Sequence, residues 1–263
     1  MHLRDSLRFT LALLILLLFA VPCMAQTDLT GLRTALAPFN AKNPLHSESD
    51  FVMSGSKEGL SFTFREHLKI IAKRPGKFRA EVTQLSAANT PQTTFQVISD
   101  GVRVWTYQPG TKRYSVRTLA EFRATDNDLP VLGIALGSFY LGDGNDMVTG
   151  LNAVTKDNND EVLKMLNGIG IRFTSAAGTT TDADALVYTM SVSKQAIRYR
   201  FLLNPATNAL REIDLQGRQA GLDISISEKI ALLSPEPLLE KTTFQFTPPE
   251  GAIKVSALST SPF

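Results

Sequence analysis

The chain has 263 residues, of which 43% are hydrophobic, enough for a sizeable core, and it carries 27 basic against 25 acidic residues. This nearly neutral balance excludes the strongly basic surface on which nucleic-acid binding depends. The only cysteine is Cys23, so the chain can form neither an internal disulfide nor a thiolate metal site.

The N-terminal residues predict a secretory signal peptide. A basic start precedes an apolar core from Leu11 to Val21, and small residues end at Ala25. The core is shorter than a membrane-spanning helix, so we expect a signal peptide over 1–25, its cleavage, and export to the periplasm. Pro22 directly before Cys23 fits poorly with a lipoprotein box, which favours a soluble exported protein over one with a lipid anchor.

The next residues predict a helix followed by a run of strands. Leu29 to Ala41 has the spacing of a short amphipathic helix, with Asp28 as its N-cap. Period-two alternation then begins, and turns at Pro75-Gly76 and Asp100-Gly101 divide it. The predicted strands cover residues 47–56, 60–73, 77–84, 95–99, 102–107 and 113–118.

Alternation is clearest from Leu60 to Tyr114, where one strand face is apolar and the other polar. This pattern is typical of an antiparallel sheet with one buried face. No set of acids, bases or nucleophiles accompanies the large apolar groups, which favours binding of an apolar ligand over catalysis. The candidate cavity residues are Phe62, Phe64, Leu68, Ile70, Phe78, Val82, Trp105 and Tyr107.

Several of these residues have a second interpretation. Each apolar residue on that face can equally be core, because burial alone explains most apolar strand faces. Trp105 and Tyr107 share one face of their strand, where they either line a cavity or cap its rim. Glu66 also falls on the apolar face, and a local bulge that returns it to solvent is the favoured interpretation.

Residues from about 119 to 181 lose the period of two and predict a helical insertion. A run that starts at Leu129 is apolar on most sides, and Gly133 and Gly137 weaken it as a helix. A second short helix is predicted from Asp160 to Asn167. We expect the first run to be a lid that opens, formed by Leu129, Leu132, Leu136, Phe139 and Tyr140.

The period of two then returns and completes a meander. Strands are predicted at residues 186–192, 197–203, 210–215 and 222–230, and Phe244 to Thr247 ends the pattern. The total is about ten strands in one domain, residues 26–263. Such a meander closes or half-closes into an antiparallel barrel with helices over its open side, which is a mostly β (α+β) fold.

Signatures of catalysis are missing from the sequence. Beyond the predicted signal peptide the chain has only His46 and His67, and neither stands in a metal-ligand spacing. No Gly-x-Ser-x-Gly elbow is present either. We therefore expect no enzymatic activity, no metal ion and no cofactor.

Four segments, in order, resemble the bacterial outer-membrane lipoprotein-carrier superfamily of the LolA and LolB type. A related family of periplasmic proteins without an assigned role is at least as similar. The order and spacing of the segments carry the resemblance, since each alone is common at turns and strand ends. The segments are Lys73 to Arg79 with its Arg-Pro, Ser99 to Pro109 with its Asp-Gly and Trp-Thr-Tyr, Leu203 to Leu215, and Phe244 to Gly251 with its Phe-Thr-Pro-Pro.

This resemblance implies a half-open antiparallel barrel with a helical lid over an apolar cavity, and in the family this cavity holds the acyl chains of a lipoprotein. Arg74 matches an arginine that helps to hold the lid closed in the family. The expected function is therefore a periplasmic, monomeric carrier of a lipid or lipoprotein acyl chain, with transient membrane-protein partners. The alternative is an envelope interaction or sensor module that uses the same fold to bind a protein.

Overall fold

The structure, a computed structural model, describes residues 28–40, 43–124, 128–140, 159–177, 184–193, 196–219, 221–235 and 238–260. The predicted signal peptide lies outside these ranges, and so do residues 141–158 of the predicted insertion. The single domain over residues 26–263 stays a prediction.

The helices of the described ranges are short, and none is long and apolar enough to cross a membrane. The first begins as predicted, because the carboxylate of Asp28 accepts a hydrogen bond of 2.9 Å from the amide of Thr30. A 3-10 turn at Pro109–Thr111 joins two strands. The helices are α1 (Thr30–Asn40), α2 (Leu119–Ala124), α3 (Asp128–Ile134) and α4 (Asn159–Gly168), and a π-helical segment (Ala135–Tyr140) directly follows α3.

One curled sheet of twelve strands organises the described residues. In space the strands follow the order β12-β6-β5-β4-β3-β2-β1-β11-β10-β9-β8-β7, so the sheet ends at β12 and β7 without closing. All neighbours are antiparallel except the two-residue β12, which runs parallel to β6. The strands are β1 (Leu45–Lys57), β2 (Leu60–Lys73), β3 (Lys77–Leu85), β4 (Pro91–Asp100), β5 (Arg103–Gln108), β6 (Arg113–Thr118), β7 (Ile171–Ala177), β8 (Leu186–Val192), β9 (Ile197–Leu203), β10 (Leu210–Gln219), β11 (Leu222–Pro235) and β12 (Ile253–Lys254). The predicted mostly β fold, an open antiparallel sheet with accompanying helices, is confirmed.

The two faces of the sheet differ in what covers them. We call the face that carries Phe64, Leu68 and Phe78 the inner face, and the opposite one the outer face. Apolar side chains of the inner face, from β1 to β5 and from β7 to β11, join residues of α1 and α3 in one buried cluster. α3 packs on β1, β2 and β3, while α1 packs on β9 and on the π-helical segment. The core therefore lies between the inner face and a thin helical cover.

Two segments differ from their predictions. β7 lies within the range predicted as a helical insertion, and its buried residues Ile171 and Phe173 pair with Val192 and Met190 of β8. Its two buried positions are too few to stand out as alternation in the sequence. Phe244 to Thr247, at which the predicted alternating pattern ends, is not a strand. The prolines that follow it lack the amide hydrogens that a strand ladder needs.

Residues 238–260 form a segment that we call the C-terminal strap, which passes from the outer face to the inner face around β6. Phe246 lies on the outer face, and β12 then pairs with the free edge of β6. On the inner face, the amide of Leu258 donates a hydrogen bond of 3.1 Å to the hydroxyl of Ser115. The carbonyl of Thr260 accepts one of 2.7 Å from the side chain of Gln84 on β3. The strap thus covers one edge of the sheet, where an unpaired edge invites association with other chains.

Candidate functional site

Five of the predicted cavity residues lie together on the inner face, on β2 and β3. Leu68 and Val82 are direct cross-strand partners, and Phe78 pairs with Ala72 in the same ladder. α3 packs over both strands. All five side chains are buried, and the most exposed of them, Phe64, is only 8% accessible. They are Phe64, Leu68, Ile70, Phe78 and Val82.

Phe62 lies on the same face but nearer the end of β2, where it is partly exposed. Its partner across the ladder is Gly55 of β1. The ring of Phe62 lies so close over Gly55 that a Cβ atom there would overlap it. The glycine therefore allows a large ring to lie flat at the rim of the inner face.

The predicted lid residues fall in α3 and in the π-helical segment after it. Leu132 and Leu136 are buried, with at most 2% of their surface accessible, in the cluster that includes the inner face. The side chains of Leu129, Phe139 and Tyr140 lie outside what the structure describes. The predicted lid is thus a helical cover over β1 to β3, and whether it opens stays a prediction.

The helical cover is interrupted at Gly133, which ends the regular part of α3. Its backbone has φ 64° and ψ −179°, a conformation that glycine adopts without the steric cost paid by other residues. A Cβ atom on Gly133 would overlap the carboxyl group of Glu228. The break in the helix therefore brings its backbone directly against a side chain of the sheet.

Glu228 of β11 attaches the helical cover to the sheet. Its Oε2 accepts a hydrogen bond of 2.8 Å from the amide of Ala135, the first residue of the π-helical segment. Its Oε1 accepts one of 2.9 Å from the hydroxyl of Ser49 on β1. Burial raises the pKa of this carboxyl, and the hydrogen bonds from Ala135, Ser49 and the amide of Ile134 oppose that rise. Glu228 thus satisfies backbone amides that the broken helix leaves free.

Glu66 of β2 is also buried on the inner face, and here the favoured sequence interpretation is wrong. The ladders of β2 with β1 and with β3 run through Glu66 without a bulge. Its accessible surface is 0%, and within the described residues neither carboxyl oxygen has a hydrogen-bond partner. Burial raises the pKa of Glu66 to about 9, and the side chain of its cross-strand neighbour Gln84 acts in the opposite direction. The carboxyl is therefore protonated at neutral pH.

The two buried glutamates occupy one row across the sheet. Phe51 of β1 is the register partner of Glu66 on one side and of Glu228 on the other. Adjacent strands are about 4.8 Å apart, so the backbones at Glu66 and Glu228 are about 10 Å apart. The strand between them is β1, which places Phe51 between the two glutamates. Besides this row, the buried polar groups of the inner face include small hydroxyl groups, those of Ser47 and Ser49 on β1, Ser99 on β4, Thr106 on β5 and Ser115 on β6.

Trp105 and Tyr107 do not lie with the other predicted cavity residues. They are paired in register with Ile98 and Gln96 of β4, which places them on the outer face. Period-two alternation could not reveal this, because a hairpin and two turns separate β5 from β2. On the outer face these rings pack against the C-terminal strap instead of lining a cavity. The ring of Phe246 in the strap lies 5.5–6.3 Å from the rings of Trp105, Tyr107 and Tyr114.

Arg74, the predicted lid-closing residue, contacts α1. Its guanidinium donates a hydrogen bond of 2.8 Å to the carbonyl of Phe39 near the end of that helix. Cations are favoured at this end of a helix, where carbonyl groups lack partners. α1 in turn packs on the π-helical segment. Arg74 therefore acts on the cover through α1, and its role in closing a lid stays a prediction.

A separate groove of about 660 Å³ lies on the outer face of β1, β2, β3 and β11. Its lining alternates in charge, and the ring of His67 is hydrogen-bonded to the carboxylate of Asp50 at 2.9 Å. Lys69 and Lys229 add positive charge, and Glu81 adds negative charge. Among the described residues, no three His, Asp or Glu side chains form a group that could hold a metal ion.

Sequence reasoning missed Glu228 and Phe246. Glu228 follows Leu222, Ile224 and Ile226 at even spacing, so its place on the apolar face was visible in the sequence. Glu66 also falls at an apolar position of its strand, and both glutamates are buried. In this protein, a carboxyl group at such a position is therefore a buried residue and not an exposed one. Phe246 gave no such signal, because its partners lie more than a hundred residues earlier in the chain.

No protein-family model matches the chain, and no curated protein matches it either. The structure is similar to solved structures of low sequence identity. The lipoprotein LppX from Mycobacterium tuberculosis is 12% identical with a TM-score of 0.41, over 80% of this chain and 96% of that one. LprF from Mycobacterium bovis is 11% identical with a TM-score of 0.40, over 80% and 94%. A LolA superfamily protein from Nitrosomonas europaea is 9% identical with a TM-score of 0.30, over 83% and 98%. The fold and the site rest on the register and contacts described above.

Proposed function

We propose that the protein is an exported periplasmic binding protein that carries a lipid or the acyl chain of a lipoprotein. The ligand lies between the inner face and the helical cover. One observation carries this proposal: the inner face carries one connected cluster of apolar side chains across the curled sheet, and its cover over β1 to β3 is a short helix broken at Gly133. The resemblance of four sequence segments to lipoprotein carriers agrees with it.

The energetics favour an acyl ligand. Each methylene group moved from water into an apolar interior contributes about 0.8 kcal/mol. An acyl chain of about fourteen carbons therefore gains roughly 10 kcal/mol before the ordering costs of association are subtracted. This gain is large enough to displace a cover that packs on the sheet through a few side chains.

The cover has the features of an element that moves. Its break at Gly133 provides a hinge, and Glu228 provides its polar attachment to the sheet. The remaining contacts are apolar, made by residues such as Leu132 and Leu136. Apolar contacts are not directional, so acyl groups can replace them when the cover lifts.

A substitution that fills the inner face tests the proposal. Ala80 is fully buried on β3 between Ile70 and Val97, and Arg79 beside it points to the outer face. We expect delipidated wild-type protein to bind a fluorescent acyl probe saturably. Ala80→Leu should weaken this binding by about tenfold or more, while the matched control Arg79→Leu leaves it unchanged. Absence of saturable binding by the wild type, or equal binding by all three proteins, contradicts the proposal.

Mass spectrometry of the native protein gives an independent test. Protein purified without detergent from an envelope fraction should carry an amphiphile, which organic extraction releases for identification. Ala80→Leu should carry less of it than Arg79→Leu. A ligand-free mass for all preparations, together with no uptake of added lipid, would count against a carrier.

A second candidate is binding of a protein partner, and the outer groove favours it. Its alternating charges suit a polar segment of another protein rather than an acyl chain. Lys69→Glu, which reverses one charge of the groove, should then abolish capture of a partner from envelope extract, whereas Ala80→Leu should not. The opposite result would assign the partner to the inner face.

A further inference from the structure

Glu66 is the unusual polar group of the inner face. It lies in the middle of β2, between Phe51 on β1 and Gln84 on β3. It is fully buried, and within the described residues its two oxygens accept and donate no hydrogen bond. Glu228, in the same row, has a partner for each oxygen. The two glutamates thus differ in that Glu66 lacks the hydrogen bonds that hold Glu228 in place.

A buried carboxyl group without a hydrogen-bond partner lowers the stability of a protein core. Burying a polar group without a hydrogen bond is unfavourable, and most buried polar groups in folded proteins have a partner. Gln84 is the adjacent amide, and its nitrogen donates one hydrogen bond to the carbonyl of Thr260 in the C-terminal strap. This bond uses one of the two N–H groups of the amide.

We propose that Glu66 is the polar contact of the bound acyl compound, and that its carboxyl group donates a hydrogen bond to the carbonyl oxygen of an ester or amide. This inference rests on the proposed function and adds a residue that determines which ligands fit. The acyl chain then lies along the apolar residues of β2 and β3, such as Leu68 and Val82, and its carbonyl end lies at Glu66.

The protonation state of Glu66 selects the class of ligand. Burial keeps its proton in place at neutral pH, so the group offers one O–H donor and no negative charge. An ester or amide carbonyl accepts this hydrogen bond without bringing charge into the apolar interior. A free fatty acid would bring a carboxylate close to the row of Glu66 and Glu228, which desolvation makes unfavourable. The site should therefore prefer the neutral acyl compound over the free acid.

Competition with a fluorescent acyl probe tests this preference. The competitors are methyl myristate, free myristate and myristylamine, which share one chain length and differ in the end group. Wild-type protein should bind the methyl ester about tenfold more tightly than the free acid at neutral pH. Glu66→Leu should lower affinity for the ester about three- to tenfold, the worth of one buried hydrogen bond. Glu66→Gln, which keeps a donor, should stay within about twofold of wild type.

Controls separate this inference from the proposed function. Ser47→Ala removes a second buried side chain of the inner face that has no hydrogen-bond partner within the described residues, and it should leave the ester preference unchanged. If the probe binds to wild type but Glu66→Leu binds the ester as tightly, the inference is wrong and the proposed function stands. If the amine binds most tightly and needs Glu66, the site takes a cation and the inference is again overturned. If no probe binds to the wild type, both fail.

Infrared spectroscopy provides a readout that a purely structural role would not change. A protonated carboxyl group has its own C=O band, and the difference between wild type and Glu66→Gln isolates the band of Glu66 from that of Glu228. The band should shift to lower frequency when methyl myristate binds, because the O–H group then donates a hydrogen bond. A band that stays in place on ligand binding would overturn the assignment.

Discussion

Glu228 and Glu66 stand on either side of Phe51 on the same face of the sheet, yet their surroundings have little in common. Both are buried, and burial raises the pKa of both. Glu228 receives hydrogen bonds from Ser49 and from the backbone of the cover, whereas Glu66 receives none within the described residues. One glutamate attaches the cover, and the other is left available.

The difference arises from what lies opposite each residue. Glu228 faces the break at Gly133, where a helix that ends leaves amide groups without partners. Glu66 neighbours Gln84, whose side-chain nitrogen donates one hydrogen bond to the C-terminal strap. The elements that cover the sheet decide which groups each glutamate meets. Identical side chains in one row therefore differ in role: Glu228 attaches the helical cover, and Glu66 is the residue proposed to contact a ligand.

The largest expected effect is on the pH dependence of stability. Glu66 titrates near 4.5 in the unfolded chain and near about 9 in the folded one, so between these values the folded protein binds one proton more. The free energy of unfolding should therefore fall as the pH rises through this window, by about 1.4 kcal/mol per unit from this group. Urea unfolding measured from about pH 5 to about pH 8 should show a loss of about 4 kcal/mol.

Glu66→Gln isolates this contribution. The pKa of Glu228 is raised as well, so some slope should remain in the variant. The difference between the two slopes belongs to Glu66, because glutamine does not titrate. Parallel slopes for wild type and variant would show that Glu66 is not buried as a proton-bearing group.

The next largest effect is a change in the free energy of unfolding when each of the two glutamates is replaced by leucine. Glu228→Leu should lower the free energy of unfolding by about 3 kcal/mol, because the amide of Ala135 and the hydroxyl of Ser49 lose their partner while they are buried. Glu66→Leu should raise it by about 1 kcal/mol at neutral pH, because a buried polar group without a partner is removed. Chemical denaturation of both variants measures this, and changes of the same sign would refute the comparison.

Gly133→Ala should destabilise the protein by about 2 kcal/mol, through its positive φ and through overlap with the carboxyl of Glu228. Gly59 is a matched control, since it also has a positive φ, of 84°, but a Cβ there would meet nothing within 4 Å. Gly59→Ala should cost about 1 kcal/mol. Thermal unfolding compares the two variants, and equal losses would mean that Glu228 does not lie against the break.

The smallest effect is expected on the outer face. Phe246→Ala removes one ring from the cluster with Trp105, Tyr107 and Tyr114, and it should cost about 1 kcal/mol because Phe246 is only partly buried. The variant should keep the pH slope of the wild type and its affinity for the acyl probe. A change in either would show that the strap acts on the inner face as well.

Much of the sheet was predictable from the sequence because alternation is a local property. β2, β6, β8 and β9 have the bounds that period two predicts. β7 was not predicted, because only Ile171 and Phe173 of its residues are buried apolar positions that alternate. The bulge expected at Glu66 was wrong for a related reason. Alternation reports which face a residue is on, but it does not report whether a polar residue on the apolar face finds a partner.

By itself the sequence determined that a long antiparallel meander presents one apolar face, and that Phe64, Leu68 and Val82 share it. Tertiary structure alone decided that Trp105 and Tyr107 lie on the other face under the C-terminal strap. It also decided that a break in the cover meets Glu228, whereas Glu66 has no hydrogen-bond partner within the described residues. The physical reason is distance along the chain. Strand faces follow from neighbouring residues, whereas the partners of Glu228 and of the rings on the outer face come from segments more than ninety residues away, whose meeting depends on the curl of the whole sheet.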